Sequence, residues 1–267
     1  MDRVSGAPRD SFRAQHEAIR EEFGRQAESW GGDPIDADLL WAAGKIGVAP
    51  DSSILDVAAG TGLLARALAP RARSVVAIDL TPEMLAHGRL GAERDGIVNV
   101  RFEEGAAERL PCPAGAFDAV VTRFSFHHFE DPAAVAVEMA RVCRAGGTVA
   151  VIDIVAPEDE GLARRYNALE RLRDPTHTRA LPPSALRRLV ASCGVRVAGD
   201  FRRDVANDLT DWLDRTRTPP AARREIVASL RADLAGGAPT GMRPFEKDGR
   251  LGFLHDWNVV VGARLPA

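Results

Sequence analysis

Two acids and a pair of glycines, close together, carry the clearest chemistry in this chain of 267 residues. Asp56 lies in the short apolar run Ile54-Leu55-Asp56-Val57, which leads into Ala58-Ala59-Gly60-Thr61-Gly62. Such a run reads as a parallel strand covered on both faces. Gly60 and Gly62 permit positive φ angles and close approach of backbone to a ligand. A helix from about Leu63 to Ala69 then presents free N–H groups above the strand. A second apolar run, Ser74 to Ile78, ends in Asp79. A carboxylate there can accept from both hydroxyls of a ribose, a charge-assisted bidentate contact. Its alternative use is to complement the N-terminus of the following helix. The turn also fits the dinucleotide fingerprint G-x-G-x-x-G/A, so by itself it leaves a nicotinamide cofactor open.

The groups able to move a proton near neutral pH are imidazoles. His127 and His128 are adjacent. Neighbours on a helix point about 100° apart, so both cannot serve one site equally. A packing role is favoured for the pair, with His128 kept as a catalytic candidate. His177 and Arg179, in the polar connection Arg173 to Arg179, are the better candidates for binding or deprotonating an acceptor. A solvated loop is the alternative. Tyr166, the only tyrosine, is a further candidate, and Arg123 could bind an acidic substrate or be a salt-bridged surface arginine. No spacing of cysteine, histidine or carboxylate completes a metal site.

The elements that must position these groups follow from periodicity. Residues 1–10 read as disordered. Phe12, His16, Ile19 and Phe23 recur on one face of a helix from about Asp10 to Ser29, and a second helix covers about Asp36 to Gly47. After the two strands above, Val98–Phe102, Phe117–Thr122 and Thr148–Ile154 read as further strands. Thr81 and Pro82 open one helix; Asp131-Pro132 opens another, which Ala145-Gly146-Gly147 ends. Strands alternating with helices predict a parallel α/β sheet whose ligands lie beyond the carboxyl ends of the strands. Two helices between Pro157 and Ala191, a strand Val195–Phe201, helices over Asp208–Arg217 and Ala221–Leu234, and a final strand Leu251–Arg264 complete the chain.

Composition narrows the class. The length suits one large domain, and 45% apolar residues are the ordinary globular share. A net charge of −3 with no basic tract argues against a nucleic-acid binder. Three cysteines without a CxxC pair suggest buried thiols in a reducing cytoplasm. No long apolar run indicates a membrane span, and the first residues lack the apolar core of a signal peptide.

Four stretches resemble the class I S-adenosylmethionine-dependent methyltransferases, above all the ubiquinone/menaquinone C-methylase-like small-molecule group. They are Ile54–Gly62; Val76–Leu85; Ala107-Glu108-Arg109-Leu110-Pro111 with Phe117–Val120; and Phe126-His127-His128-Phe129 through Arg141–Gly147. The resemblance implies a doubly wound, mostly parallel seven-stranded sheet, its late strand inserted antiparallel at the sheet edge, with an N-terminal helical lid (1–48) and a small acceptor cap (156–192). Residues 49–155 would form the cofactor half and 193–267 would complete the sheet. It also implies S-adenosyl-L-methionine as cofactor and a small-molecule acceptor. Asp56, Ala58, Gly60, Thr61 and Gly62 would line the methionine part, Asp79 the ribose, and Leu80 and Met84 the adenine. The backbone of Thr122 or Arg123 would face the cofactor's amino group. Where the family places an acid before Ala-Glu, this chain has Ala106, so adenine recognition must rest on backbone groups of Ala106 and Ala107 or on a neighbour. The other readings are a nicotinamide-dependent oxidoreductase and a methyltransferase-like protein that binds the cofactor without methylating, such as a cyclase. Acceptor atom and oligomeric state stay open.

Overall fold

In β1 (Ser53–Val57), Ile54, Leu55 and Val57 lose all their accessible surface, as expected of a strand covered on both faces. The computed structural model describes residues 12–30 and 32–266; the expected disorder of residues 1–10 lies outside them. Ahead of β1 come α1 (Arg13–Trp30) and α2 (Ala37–Ile46). The chain continues through α3 (Leu63–Leu68), β2 (Ser74–Asp79), α4 (Pro82–Arg94), β3 (Val100–Glu104), β4 (Phe117–Arg123), α5 (Pro132–Val142) and β5 (Cys143–Ile154). It closes with α6 (Glu160–Arg173), α7 (Pro183–Ser192), β6 (Val195–Asp208), α8 (Leu209–Arg215), α9 (Pro220–Leu234), β7 (Phe245–Lys247) and β8 (Arg250–Arg264).

The strands lie in the order β3-β2-β1-β4-β5-β8-β6, with short β7 pairing onto β8. β1 to β5 run parallel. β8 is antiparallel to both its neighbours. The doubly wound, mostly parallel sheet is therefore the one expected, enlarged by the three-residue β7. The late antiparallel strand is not at the edge, however: it is second from it, between β5 and β6. Two further boundaries differ. α5 stops at Val142, before the glycines, because Cys143 is already extended and pairs with Phe117 of β4. β6 runs to Asp208, seven residues past Phe201, because it pairs with β8 from Val195↔Arg264 to Asp208↔Gly252, interrupted only by a bulge at Ala198.

Three apolar clusters hold these layers. Met139 and Val142 of α5 and Leu186 and Val190 of α7 pack one face of the sheet. Leu39 and Ile46 of α2 and Leu64 and Leu68 of α3 pack the other. Burying each such side chain contributes about 1.5–3 kcal/mol. α2 is thus a core helix, and of the N-terminal segment only α1 crosses toward the strand ends. The third cluster joins Tyr166 and Leu169 of α6, Trp212 and Leu213 of α8, Ile226 and Leu230 of α9, and Phe253 and Trp257 of β8. This cluster joins two separated stretches of chain, and α7, within the segment 156–192 expected as an acceptor cap, packs on the sheet instead. No helix among the described residues is long and apolar enough to cross a membrane.

Candidate active site

Strand order reverses between β1 and β4, and the register Val57↔Thr122 sets the glycine turn beside the end of β4. Such a switch point is where ligands enter open α/β sheets. Ala58, Gly60 and Gly62 all have positive φ, at 51°, 56° and 65°. At Gly62 a Cβ would stand 2.5 Å from Phe102, so glycine is required by both conformation and space. Ala58 adopts the same left-handed region with a Cβ. Ala58→Gly is expected to stabilise the protein by about 1 kcal/mol, a rise of about 2–4 °C in Tm. A thermal midpoint that stays put would show that the turn stores no strain there.

Asp79, at the end of β2, accepts Gly60 N–H at 2.7 Å and Thr81 N–H at 2.8 Å, one on each oxygen. Each oxygen keeps a second lone pair. Burial raises its pKa, opposed by those two N–H bonds. Asp56 is 1% exposed; one oxygen accepts Ala65 N–H at 3.0 Å, while Oδ1 is buried without a partner. Burial pushes its pKa up to about 7, against the Ala65 N–H and the Arg123 charge. Thr61 is buried. Met84, also buried, stands over the turn with its methyl 3.3 Å from where a Gly60 Cβ would be. Leu80 is half-buried, and Ala106 leads into a short turn holding buried Ala107.

Beyond β4 the chain bends sharply at Phe124, whose φ is +55°. The Arg123 guanidinium lies 4.1 Å from the Phe124 ring centre and 5.4 Å from that of Trp257. Its Nε is buried without a partner. Desolvation lowers its pKa to about 10, against the pull of Asp36, Asp33 and Asp56. Arg123 thus shares a field with the Asp56 carboxylate rather than forming a surface ion pair.

Three imidazoles meet above the ends of β4 and β5. His127 and His128 occupy a tight 3-10 turn, not an α-helix, and their ring centres are 4.2 Å apart. His177 joins them at 5.3 Å from His127. Asp153, in β5, holds His127 Nδ1 at 2.6 Å. His128 Nδ1 faces Thr176, and His177 Nε2 meets Asn167 Oδ1 at 2.7 Å. Arg179 is exposed and only borders a small cleft beside His127 and Asp153. Sequence reasoning missed Asp153 and His127 as a pair. Asp153 sits near the end of an apolar strand, the signal that had singled out Asp56 and Asp79. It also missed the buried pair Glu170–His255, 3.0 Å apart, for which no local signal exists. Among the described residues no group of histidine, cysteine and carboxylate side chains is arranged to hold a metal ion.

α1 lies across this edge. Arg20 reaches the Leu80 carbonyl and Glu104, His16 meets Glu108, and Phe23 stands edge-on to His128 at 5.1 Å. Gln15 donates to the His128 carbonyl. At its far end Trp30 lies under Arg215, 4.7 Å from the ring centre.

The fold and this edge are those of a class I methyltransferase, and residues 55–151 match the methyltransferase domain family. The chain belongs to the class I S-adenosylmethionine-dependent methyltransferases and is an enzyme of that class. It is 33% identical over 177 residues to the uncharacterized methyltransferase YcgJ of Bacillus subtilis, across 66% of this chain and 70% of that protein. The crystal structure of YcgJ matches with a TM-score of 0.77 at 26% identity, covering 87% of this chain and 100% of that one. Demethylmenaquinone methyltransferase of Thermus thermophilus is 42% identical over 126 residues, 45% of this chain and 57% of that protein. The [4+2]-cyclase SpnF shares the fold alone, at a TM-score of 0.66 and 16% identity over 94% of this chain and 96% of its own.

Proposed function

We propose that the protein methylates a small-molecule acceptor, binding S-adenosylmethionine along the carboxyl ends of β2, β1 and β4 and the acceptor beneath the α6–α8–α9 cap. The observation that carries this reading is the orphaned Asp56 oxygen, a buried carboxylate lone pair without a partner beside a backbone turn open to a ligand. An amino-acid ammonium satisfies it, and Arg123 next to it suits the matching carboxylate. Ala58, Thr61 and the Gly60–Gly62 backbone line the same end. Asp79 offers its two remaining lone pairs to the ribose hydroxyls. Leu80 and Met84 supply apolar walls for adenine, and the backbone at Ala106 and Ala107 meets its amino edge. α1 serves as the lid over these groups.

Bound S-adenosylmethionine supplies an electrophilic methyl on a sulfonium whose leaving thioether is neutral. No residue need therefore act as an acid toward the leaving group. The chain's work is to hold the acceptor in line, which accounts for most of the acceleration available to such a displacement. His177 and His128, both buried and hydrogen-bonded, shape the acceptor side; Arg179, being exposed, stays outside this role.

Calorimetric titration with S-adenosylmethionine, S-adenosylhomocysteine and NAD(H) tests the reading. Saturable binding of the first two and none of the third is expected. Binding of NAD(H) instead would return the glycine turn to the oxidoreductase alternative.

A further inference from the structure

We infer that His127, held by Asp153, is the general base of this methyltransferase and that its acceptor is a weakly acidic hydroxyl compound, a phenol or enol, rather than an amine. This rests on the cofactor reading above and extends it to the acceptor.

The geometry distinguishes His127 from its neighbours. Asp153 Oδ1 lies 2.6 Å from Nδ1 and also accepts Ile154 N–H at 2.8 Å, while Oδ2 accepts the His127 N–H at 3.1 Å. A carboxylate so fixed accepts a hydrogen bond from Nδ1–H, keeps the proton on that nitrogen and leaves the lone pair on Nε2, the tautomer that a base needs. Nε2 has no protein partner among the described residues. His128 and His177 have no such support. The Thr176 hydroxyl gives its proton to Asp174 at 2.7 Å, so His128 Nδ1 donates toward Thr176. His177 donates to an amide oxygen. The charged and titratable groups facing His127 come from several elements: Asp153 on β5, Glu170 on α6, Asp174 and His177 on the following segment, and His128 beside it. Burial draws His127 down, but Asp153 outweighs it and the imidazole stands above its ordinary value. Burial takes His128 to about 4 and His177 to about 3. Of the three rings, His127 alone is raised rather than lowered by its surroundings.

The cap indicates what is deprotonated. The Tyr166 hydroxyl is buried facing the Glu170 carboxylate, and the Trp212 indole N–H is buried without a partner. Their rings stand 6.4 and 6.0 Å from His255, which is bonded to Glu170. Burial and the Glu170 charge hold the Tyr166 pKa well up, so it remains a donor. The unpartnered Trp212 N–H calls for an oxygen lone pair, which an ammonium lacks. A neutral amine also attacks with its own lone pair and needs no base, whereas a phenol, with a pKa of about 10, must lose its proton as it attacks. In the step proposed, the acceptor O–H proton passes to His127 Nε2. An oxygen electron pair forms the O–CH₃ bond, and the C–S bond breaks with its pair on sulfur. The imidazolium then returns its proton to solvent.

The test uses the full-length enzyme, tritiated S-adenosylmethionine, and 4-nitrocatechol, 2-naphthol, acetylacetone and benzylamine as probes. Methyl transfer to a hydroxyl or enol probe and not to benzylamine is expected. At saturating cofactor kcat should fall as pH drops through the His127 pKa. His127→Gln should lower kcat by about 100-fold or more with S-adenosylmethionine affinity unchanged. Imidazole NMR titration of the S-adenosylhomocysteine complex should place the His127 pKa above about 6.5 and move it down in Asp153→Asn, a readout independent of turnover. Transfer only to benzylamine, no transfer to any hydroxyl or enol probe, a pH-flat kcat, or His127→Gln within about threefold of wild type would overturn the assignment. Loss of the cofactor reading would show separately, as absent S-adenosylmethionine binding to the wild-type protein.

Discussion

Asp56→Asn should make the free protein more stable above neutral pH while weakening S-adenosylmethionine binding by about 10- to 100-fold. The Asp56 carboxyl is raised from 3.8 to about 7 in the folded protein, chiefly by burial. Between these values the folded state binds a proton that the unfolded state lacks, so Asp56 erodes stability as pH rises from about 4 to about 7. Below that window both states are protonated and the group contributes nothing. Above it the full cost is present, on the order of 4 kcal/mol for a shift of about three units. An asparagine keeps an oxygen for Ala65 N–H and removes the buried charge. The difference in Tm between variant and wild type should therefore widen from pH 5 to pH 7.5 and then level. In the wild type, S-adenosylmethionine affinity should rise with pH through about 7, because an ammonium binds the ionised form, and the variant should lose that dependence. Since this limb appears in affinity and the His127 limb in kcat, the two titrations separate. An unchanged affinity in Asp56→Asn would remove the ammonium from this oxygen.

Asp79→Ala should lower cofactor affinity further, by about 10²- to 10⁴-fold. Two charge-assisted hydrogen bonds to a ribose are worth about 1.5–3 kcal/mol each. The same side chain also fixes the backbone, through Gly60 N–H and Thr81 N–H. Its removal orphans both donors, so some of the loss would come from a slackened turn. Asp79→Asn tells the contributions apart, because its oxygen still accepts one of the N–H groups while the charge is gone. An intermediate affinity is expected there, with thermal unfolding near wild type. Calorimetry with adenosine as well as S-adenosylmethionine completes the comparison: both should weaken together. If Asp79→Ala bound both normally, Asp79 would be a structural support of the turn and the ribose would lie elsewhere.

The sequence by itself determined the sheet and the cofactor edge. Ile54–Val57, Ser74–Asp79 and Thr148–Ile154 are apolar runs long enough only for buried strands, and the glycine turn and the strand-ending acids are signals confined to a few adjacent residues. What such residues do is set by backbone conformation within reach of their own neighbours. Only the tertiary structure decided the cluster proposed as the acceptor side. Tyr166 and Glu170 on α6, Trp212 on α8 and His255 on β8 meet in one buried cluster although up to 89 residues separate them in the chain. No periodicity in one segment carries information about a partner in another. The pairing of His127 with Asp153, 26 residues on, depends likewise on β4 and β5 lying side by side. The meeting of His177 with His127, ring centres 5.3 Å apart, also joins segments 50 residues apart in the chain. Local patterns set the scaffold and the glycine turn; long-range packing chose which imidazole has a carboxylate behind it.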